Sequence, residues 1–386
     1  MTVKNTRPHT TFFPIGRLPW LFFFIALISP WNNAQSQHPI EDDIRQNQTP
    51  LIAESQWELI REVAQMYPEH TQLSIAVLDS DRVEFAGVRK TNDTIRKVEN
   101  QDHIFETGSI SKVFTALLLS HFVAVDSLSL DDIIQETVDL DWKIEDPITF
   151  RQLANHTSGL PRLPSNLNFF LVDPANPYKD YDEAMLTSYL AENMSLNAPP
   201  GSRYEYSNLG AGLLGYLLAE IANSPYEDLL QRLIVQKYGM TSTSTDRNQL
   251  EGEVVKGLDP KGEVTSYWDL NILNGAGGIL STAEDLARFA MGHFDPRDSV
   301  TALTVVPTFR VNENMQMGLG WHLITTEAGE QWTWHNGGTD GFTSSIALDL
   351  ESRAGVVLLT NVSTFHPQIR DIDNLCFLLL EALQKD

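Results

Sequence analysis

Strand-like segments lie at both ends of this chain, separated by about 200 residues of helical pattern and proline turns. That separation limits the possible folds more than any other feature. Near the N-terminal end, residues 73–78 (LSIAVL) are an apolar run of strand length. Asp79-Ser80-Asp81 then makes a turn, and Val83, Phe85 and Val88 mark the returning strand of a hairpin. Four more strands are expected late in the chain, at 319–324, 332–335, 344–348 and 355–359. Between about 105 and 300, helical segments are punctuated by Leu160-Pro161, Asp173-Pro174, Asn176-Pro177 and Ala198-Pro199-Pro200-Gly201. Amphipathic helices bracket the whole. One carries Trp57, Ile60, Val63 and Ala64 and stops before Pro68, and the other carries Ile369, Ile372, Leu375, Cys376, Leu379 and Leu383. The pattern predicts an α/β (α+β) fold. Distant parts of the chain form one antiparallel sheet, the terminal helices cover one face, and the helical middle forms a second lobe. The sheet lobe is expected at about 50–104 and 310–386, and the helical lobe at about 105–309.

The first 36 residues differ in kind. Lys4, Arg7 and Arg17 occur with no acidic residue, the run 18–28 is apolar apart from Pro19, and Asn33, Ala34, Gln35 and Ser36 follow. This reads as a secretory leader, too short to span a bilayer comfortably. It predicts an exported domain over 37–386, periplasmic or secreted, with the leader removed or retained as an anchor. Without the leader the chain keeps 24 basic against 51 acidic side chains, a formal charge of -27. Such a surface repels phosphate backbones and argues against nucleic-acid partners. A single cysteine, Cys376, rules out a disulfide framework and thiolate zinc sites. No His-Glu-x-x-His, Gly-x-Ser-x-Gly or Gly-x-x-x-x-Gly-Lys stretch occurs.

Three stretches carry chemistry. Ser109 and Lys112 stand three residues apart at the start of an apolar run, on one helix face and one turn apart. A lysine entering a buried helix loses hydration, which favours its free amine and suits it to accept the serine proton. Equally, a capping serine and a lysine reaching solvent would fit that spacing. Tyr206 and Asn208 follow a Pro-Pro-Gly turn and precede the apolar helix 209–221, so a phenol and an amide stand at the mouth of a buried helix. A simple helix cap by Ser207 or Asn208 explains the same residues. The third stretch, 334–342, places Gly337, Gly338 and Gly341 among Trp334, His335 and Phe342. Glycines within a strand mark the close approach of a ligand or another backbone, or else a bulge.

Taken in order, Ser109-x-x-Lys112, Tyr206-x-Asn208 and His335-x-Gly337 resemble the serine β-lactamase and penicillin-binding superfamily, in its class C β-lactamase, D,D-carboxypeptidase and esterase branch. The stretches 152–161 (QLANHTSGLP), 277–286 and 318–321 are similar as well. The resemblance implies Ser109 as the acylated nucleophile, Lys112 and Tyr206 as base or proton relay, and His335 in place of the usual lysine. Asn208 would hold the acyl amide. Asn336, Gly337 and Gly338 would meet the substrate, with the N–H groups of Ser109 and Gly338 holding the oxyanion. It implies no metal and no cofactor. Substrates would be β-lactams or D-alanyl-D-alanine peptides, with a carboxylesterase or a non-turnover penicillin-binding sensor as alternatives. Asn336 replaces a hydroxyl expected to touch a substrate carboxylate. Trp334, Phe342, Phe169 and Phe170 are expected to line an apolar acyl pocket, and His335 and Lys112 to supply positive charge in the cleft.

Overall fold

The structure, a computed structural model, describes residues 50–168 and 170–384. The expected leader lies outside the described residues. Eleven strands occur among the described residues: β1 (Gln72–Asp79), β2 (Arg82–Thr91), β3 (Thr94–Lys97), β4 (Phe105–Glu106), β5 (Leu280–Ser281), β6 (Phe309–Arg310), β7 (Met315–Met317), β8 (His322–Thr325), β9 (Gln331–Gly338), β10 (Thr343–Asp349) and β11 (Ala354–Thr360). Nine of them form one sheet in the order β3-β2-β1-β11-β10-β9-β8-β7-β6, while β4 and β5 pair separately. Every neighbouring pair in the large sheet is antiparallel. The first and last strands meet at its centre, with Leu73 opposite Thr360 and Asp79 opposite Ala354.

Strand alternation decides which face each side chain enters. On β1, Leu73, Ile75 and Val77 face a core shared with helix α1 (Glu54–Gln65) and the C-terminal helix, while Ala76 and Leu78 enter the larger core with the helical middle. On β11, Val356 and Leu358 take the first side and Val357 and Leu359 the second. Both faces are buried, which is why these strands read as continuous apolar runs. The helical side is built on α2 (Ser111–Ala124), α3 (Asn208–Ala222) and α4 (Ala283–Gly292), and α5 (Arg370–Leu383) closes the opposite face.

One expected strand is shorter than its sequence suggests. The segment 319–324 enters the sheet only at His322. Gly320 adopts φ +72°, and a Cβ there would lie 2.8 Å from the Lys112 carbonyl oxygen. The backbone turns there to press against α2, so its apolar residues pack without joining the ladder.

Candidate functional site

Ser109 sits in a single 3-10 turn, Gly108–Ile110, that feeds directly into α2. Gly108 supplies the required φ of +51°. One turn on, Lys112 is 2% exposed, and its Nζ lies 2.9 Å from Ser109 Oγ. The same Nζ donates to the Ala276 carbonyl at 2.6 Å. Among the described residues, no carboxylate pairs with it. Burial, reinforced by the Arg162 guanidinium, holds the Lys112 ammonium well below the ordinary lysine range.

Ser207 caps α3 through an N–H bond from Gly210 at 2.8 Å, so the helix-cap explanation holds for Ser207. Its neighbours Tyr206 and Asn208 line the cleft instead. The Tyr206 phenol lines the cleft with Ser109, and burial pushes its pKa up, so it stays protonated. Lys112 Nζ lies 4.9 Å and Arg162 Cζ 5.2 Å from the centre of the Tyr206 ring. His156 packs on the same ring, with centroids 4.5 Å apart. Its Nδ1 accepts the Ser207 N–H at 3.2 Å, which leaves the proton on Nε2.

Strand β9 brings in the third stretch. A Cβ on Gly337 would lie 2.0 Å from the Thr107 carbonyl oxygen and 2.7 Å from the Ser109 nitrogen. A Cβ on Gly108 would lie 2.4 Å from the Gly338 nitrogen. The glycines therefore let one backbone lie on another, and they do so within a regular ladder, Gly337 opposite Ser344 and Gly338 opposite Thr343. No bulge is needed. The nitrogens of Ser109 and Gly338 thus lie at the crossing of two closely packed backbones, beside the nucleophile candidate.

A cleft of about 900 Å³ joins these parts, lined by Ser109, Tyr206, Asn208, Asn336, Gly337 and Gly338 together with Trp334, Trp268, Tyr178 and Met315. Four expectations are corrected. His335 is fully buried; its Nδ1 donates to the Asn336 carbonyl at 2.6 Å, and Nε2 is an unpaired acceptor. Burial and the neighbouring His322 and Lys112 hold its pKa well below the usual histidine range, so it brings no positive charge. Lys112, likewise depressed, is a poor source of charge; the guanidiniums on the cleft are Arg162 and Arg370. Phe342 is no cleft wall either, being core that stacks on Tyr267. Phe170 is 98% exposed and away from the cleft lining, and Phe169 lies outside the described residues. Asn336 does line the cleft, but its amide donates to Asp373 on α5 at 2.8 Å.

The sequence reading missed Arg162, Asp373 and Trp268. A lone arginine after Pro161 carries no periodic signal, and Asp373 looks like any acid on an amphipathic helix.

A family model described as beta-lactamase matches residues 60–375. The chain belongs to the beta-lactamase family. Among curated members, a beta-lactamase of Lysobacter lactamgenus is 27% identical over 301 residues, spanning 67% of this chain and 74% of that protein. Penicillin-binding protein 4* of Bacillus subtilis is 25% identical over 281 residues, 67% of this chain and 60% of that one. The beta-lactamase family fold is seen directly in solved structures. A beta-lactamase/D-alanine carboxypeptidase from Pseudomonas syringae superposes with a TM-score of 0.71 at 22% identity, covering 86% of this chain and 99% of its own. A class C beta-lactamase mutant gives 0.71 at 22% identity, covering 89% and 99%. Among the described residues, no helix is long and apolar enough to cross a membrane.

Proposed function

We propose that this protein is an exported serine hydrolase that forms an acyl-enzyme on Ser109, with β-lactams or D-alanyl-D-alanine peptides as substrates. The observation that carries the reading is the 2.9 Å approach of an unpaired, buried lysine nitrogen to the serine oxygen. As a free amine, Lys112 offers its lone pair to the Ser109 hydroxyl while an N–H stays on Ala276. Ser109 Oγ then attacks the acyl carbon, and its proton passes to Lys112 Nζ. Lys112 rather than Tyr206 takes this proton, because burial favours the neutral amine and equally favours the neutral phenol. Tyr206, protonated and lining the cleft with Ser109, hands a proton to the leaving group and is refilled from Lys112. The N–H groups of Ser109 and Gly338 hold the negative oxygen, and Asn208 orients the acyl side. Water then cleaves the ester on Ser109. The leader over residues 1–36 supports export.

A carboxylesterase is the second reading, and one observation favours it. The Asn336 amide is engaged by the Asp373 carboxylate, so a negative charge already stands where a substrate carboxylate would be received. The deciding experiment assays the protein and Ser109→Ala on a chromogenic cephalosporin, a D-Ala-D-Ala peptide and a short p-nitrophenyl ester. Loss of turnover in the alanine variant supports the reading. Full activity without the Ser109 hydroxyl, or a wild type inert on all three, would refute it.

A further inference from the structure

One buried acid has no part in the chemistry above. Glu106, at the end of β4, is 4% exposed and stands three residues before Ser109. It does not line the cleft, yet each of its oxygens holds a different wall of it. Oε1 accepts the Trp268 backbone N–H at 2.7 Å, and Oε2 accepts the Thr339 hydroxyl at 2.6 Å. Thr339 follows Gly338 directly, and its main chain is fixed from both sides: its N–H donates to Phe342 at 2.9 Å, and its carbonyl accepts from Thr364 at 3.1 Å. Trp268 is a cleft wall packed edge-on against Tyr178. The next residue, Asp269, is anchored by Arg247 at 2.6 Å and by Asn176.

We propose that Glu106 is a positioning residue, tying the strand that delivers the nucleophile to the Gly338–Thr339 end of β9 and to the Trp268 wall. This rests on the reading of Ser109 as nucleophile and Gly338 N–H as oxyanion donor. The physical case is one of leverage. The two N–H groups come from separate backbones, and no covalent link nearer than the whole sheet sets their spacing. A buried carboxyl group whose two oxygens each accept a donor from a different wall links those backbones directly. Burial pushes the Glu106 carboxyl up to about 7, against the lowering bonds from Thr339 and Trp268 and the nearby Arg247. A carboxylate kept in so costly a place needs both of its donors.

The test compares Glu106→Ala, Glu106→Gln and Thr339→Val in the whole chain. It reads hydrogen exchange in segments 266–270 and 337–342, together with kcat and KM on a short p-nitrophenyl ester. In Glu106→Ala, exchange should quicken about tenfold in both segments, as expected when a local tie is cut. Its kcat should fall about ten- to hundredfold with KM changed less than about threefold, the mark of misplaced donors rather than lost binding. Glu106→Gln should restore most of both, since its oxygen can accept from Trp268 while its amide donates to Thr339. Thr339→Val should quicken exchange in 337–342 alone. Unchanged exchange in folded Glu106→Ala overturns the tie, and quickened exchange with kcat kept overturns its positioning role. Should Glu106→Ala not fold, Thr339→Val decides by the same two readouts. A wild type inactive on the ester, a chromogenic cephalosporin and a D-Ala-D-Ala peptide alike sinks the Ser109 reading instead, and exchange alone then decides whether Glu106 ties the walls.

Discussion

Two lysines are buried among the described residues, and their surroundings could hardly differ more. Lys90, at 8% exposure on β2, reaches the end of α1, where it donates to the carbonyls of Gln65 at 2.9 Å and Tyr67 at 3.0 Å and lies 3.2 Å from Asp93. Negative partial charge at a helix C-terminus and an acid at the rim make a site for an ammonium ion. Lys112 has one carbonyl, one hydroxyl and the face of the Tyr206 ring, on which the Arg162 guanidinium also lies. Among the described residues no carboxylate pairs with it. The first environment stabilises a charged lysine and holds structure together; the second penalises the charge and makes a base. Sequence alone does not separate them, because what differs is the partner brought by the fold.

Replacing each lysine is the sharpest way to break this contrast. Lys112→Met should lower ester turnover by about a thousandfold, the scale of losing a general base. The same variant should melt no lower than wild type. A lysine whose folded pKa is depressed binds fewer protons folded than unfolded, so it costs stability below its folded pKa. That cost fades as pH rises toward the ordinary lysine value. The gain in Tm of Lys112→Met over wild type should therefore shrink with rising pH, and a constant difference would break the contrast. Gly337→Ala should follow, with activity down about a hundredfold, because the Cβ collides with the Thr107 carbonyl and shifts the oxyanion donors. Steady-state kinetics on the folded variant checks this. Lys90→Met should do the reverse of Lys112→Met, keeping kcat while losing about 1–2 kcal/mol in urea titration as the carbonyls of α1 lose their donor. The smallest effect belongs to Arg162→Gln. Removing that guanidinium should raise the Lys112 pKa, move the acid limb of kcat to higher pH and reduce the neutral-pH rate about threefold. A pH–rate profile that does not move would show that burial alone sets the amine.

Much of this was readable before any coordinates. Apolar runs gave away β1, β10 and β11, because both faces of those strands are buried, and alternation after a turn gave away the partly buried β2. Strands β6 and β7 are two and three residues long and sit at the sheet edge, too short to carry any pattern. Ser109, Lys112, Tyr206 and Gly337 stand out because residue type and spacing are local properties. Glu106, Arg162 and Asp373 are single charged residues whose meaning comes from neighbours 162 to 233 positions away in the first case and 37 in the last. The charge of His335 was misjudged for the same reason. Its residue type suggested a cation, while complete burial and the carbonyl on Nδ1 make it a neutral acceptor.

The central seam of the sheet, where Leu73 pairs with Thr360, has a kinetic side. A ribosome must reach β11 before β1 finds its inner partner, and contacts so remote in sequence form late and slowly. A newborn molecule therefore stays loose for as long as its final strand is withheld.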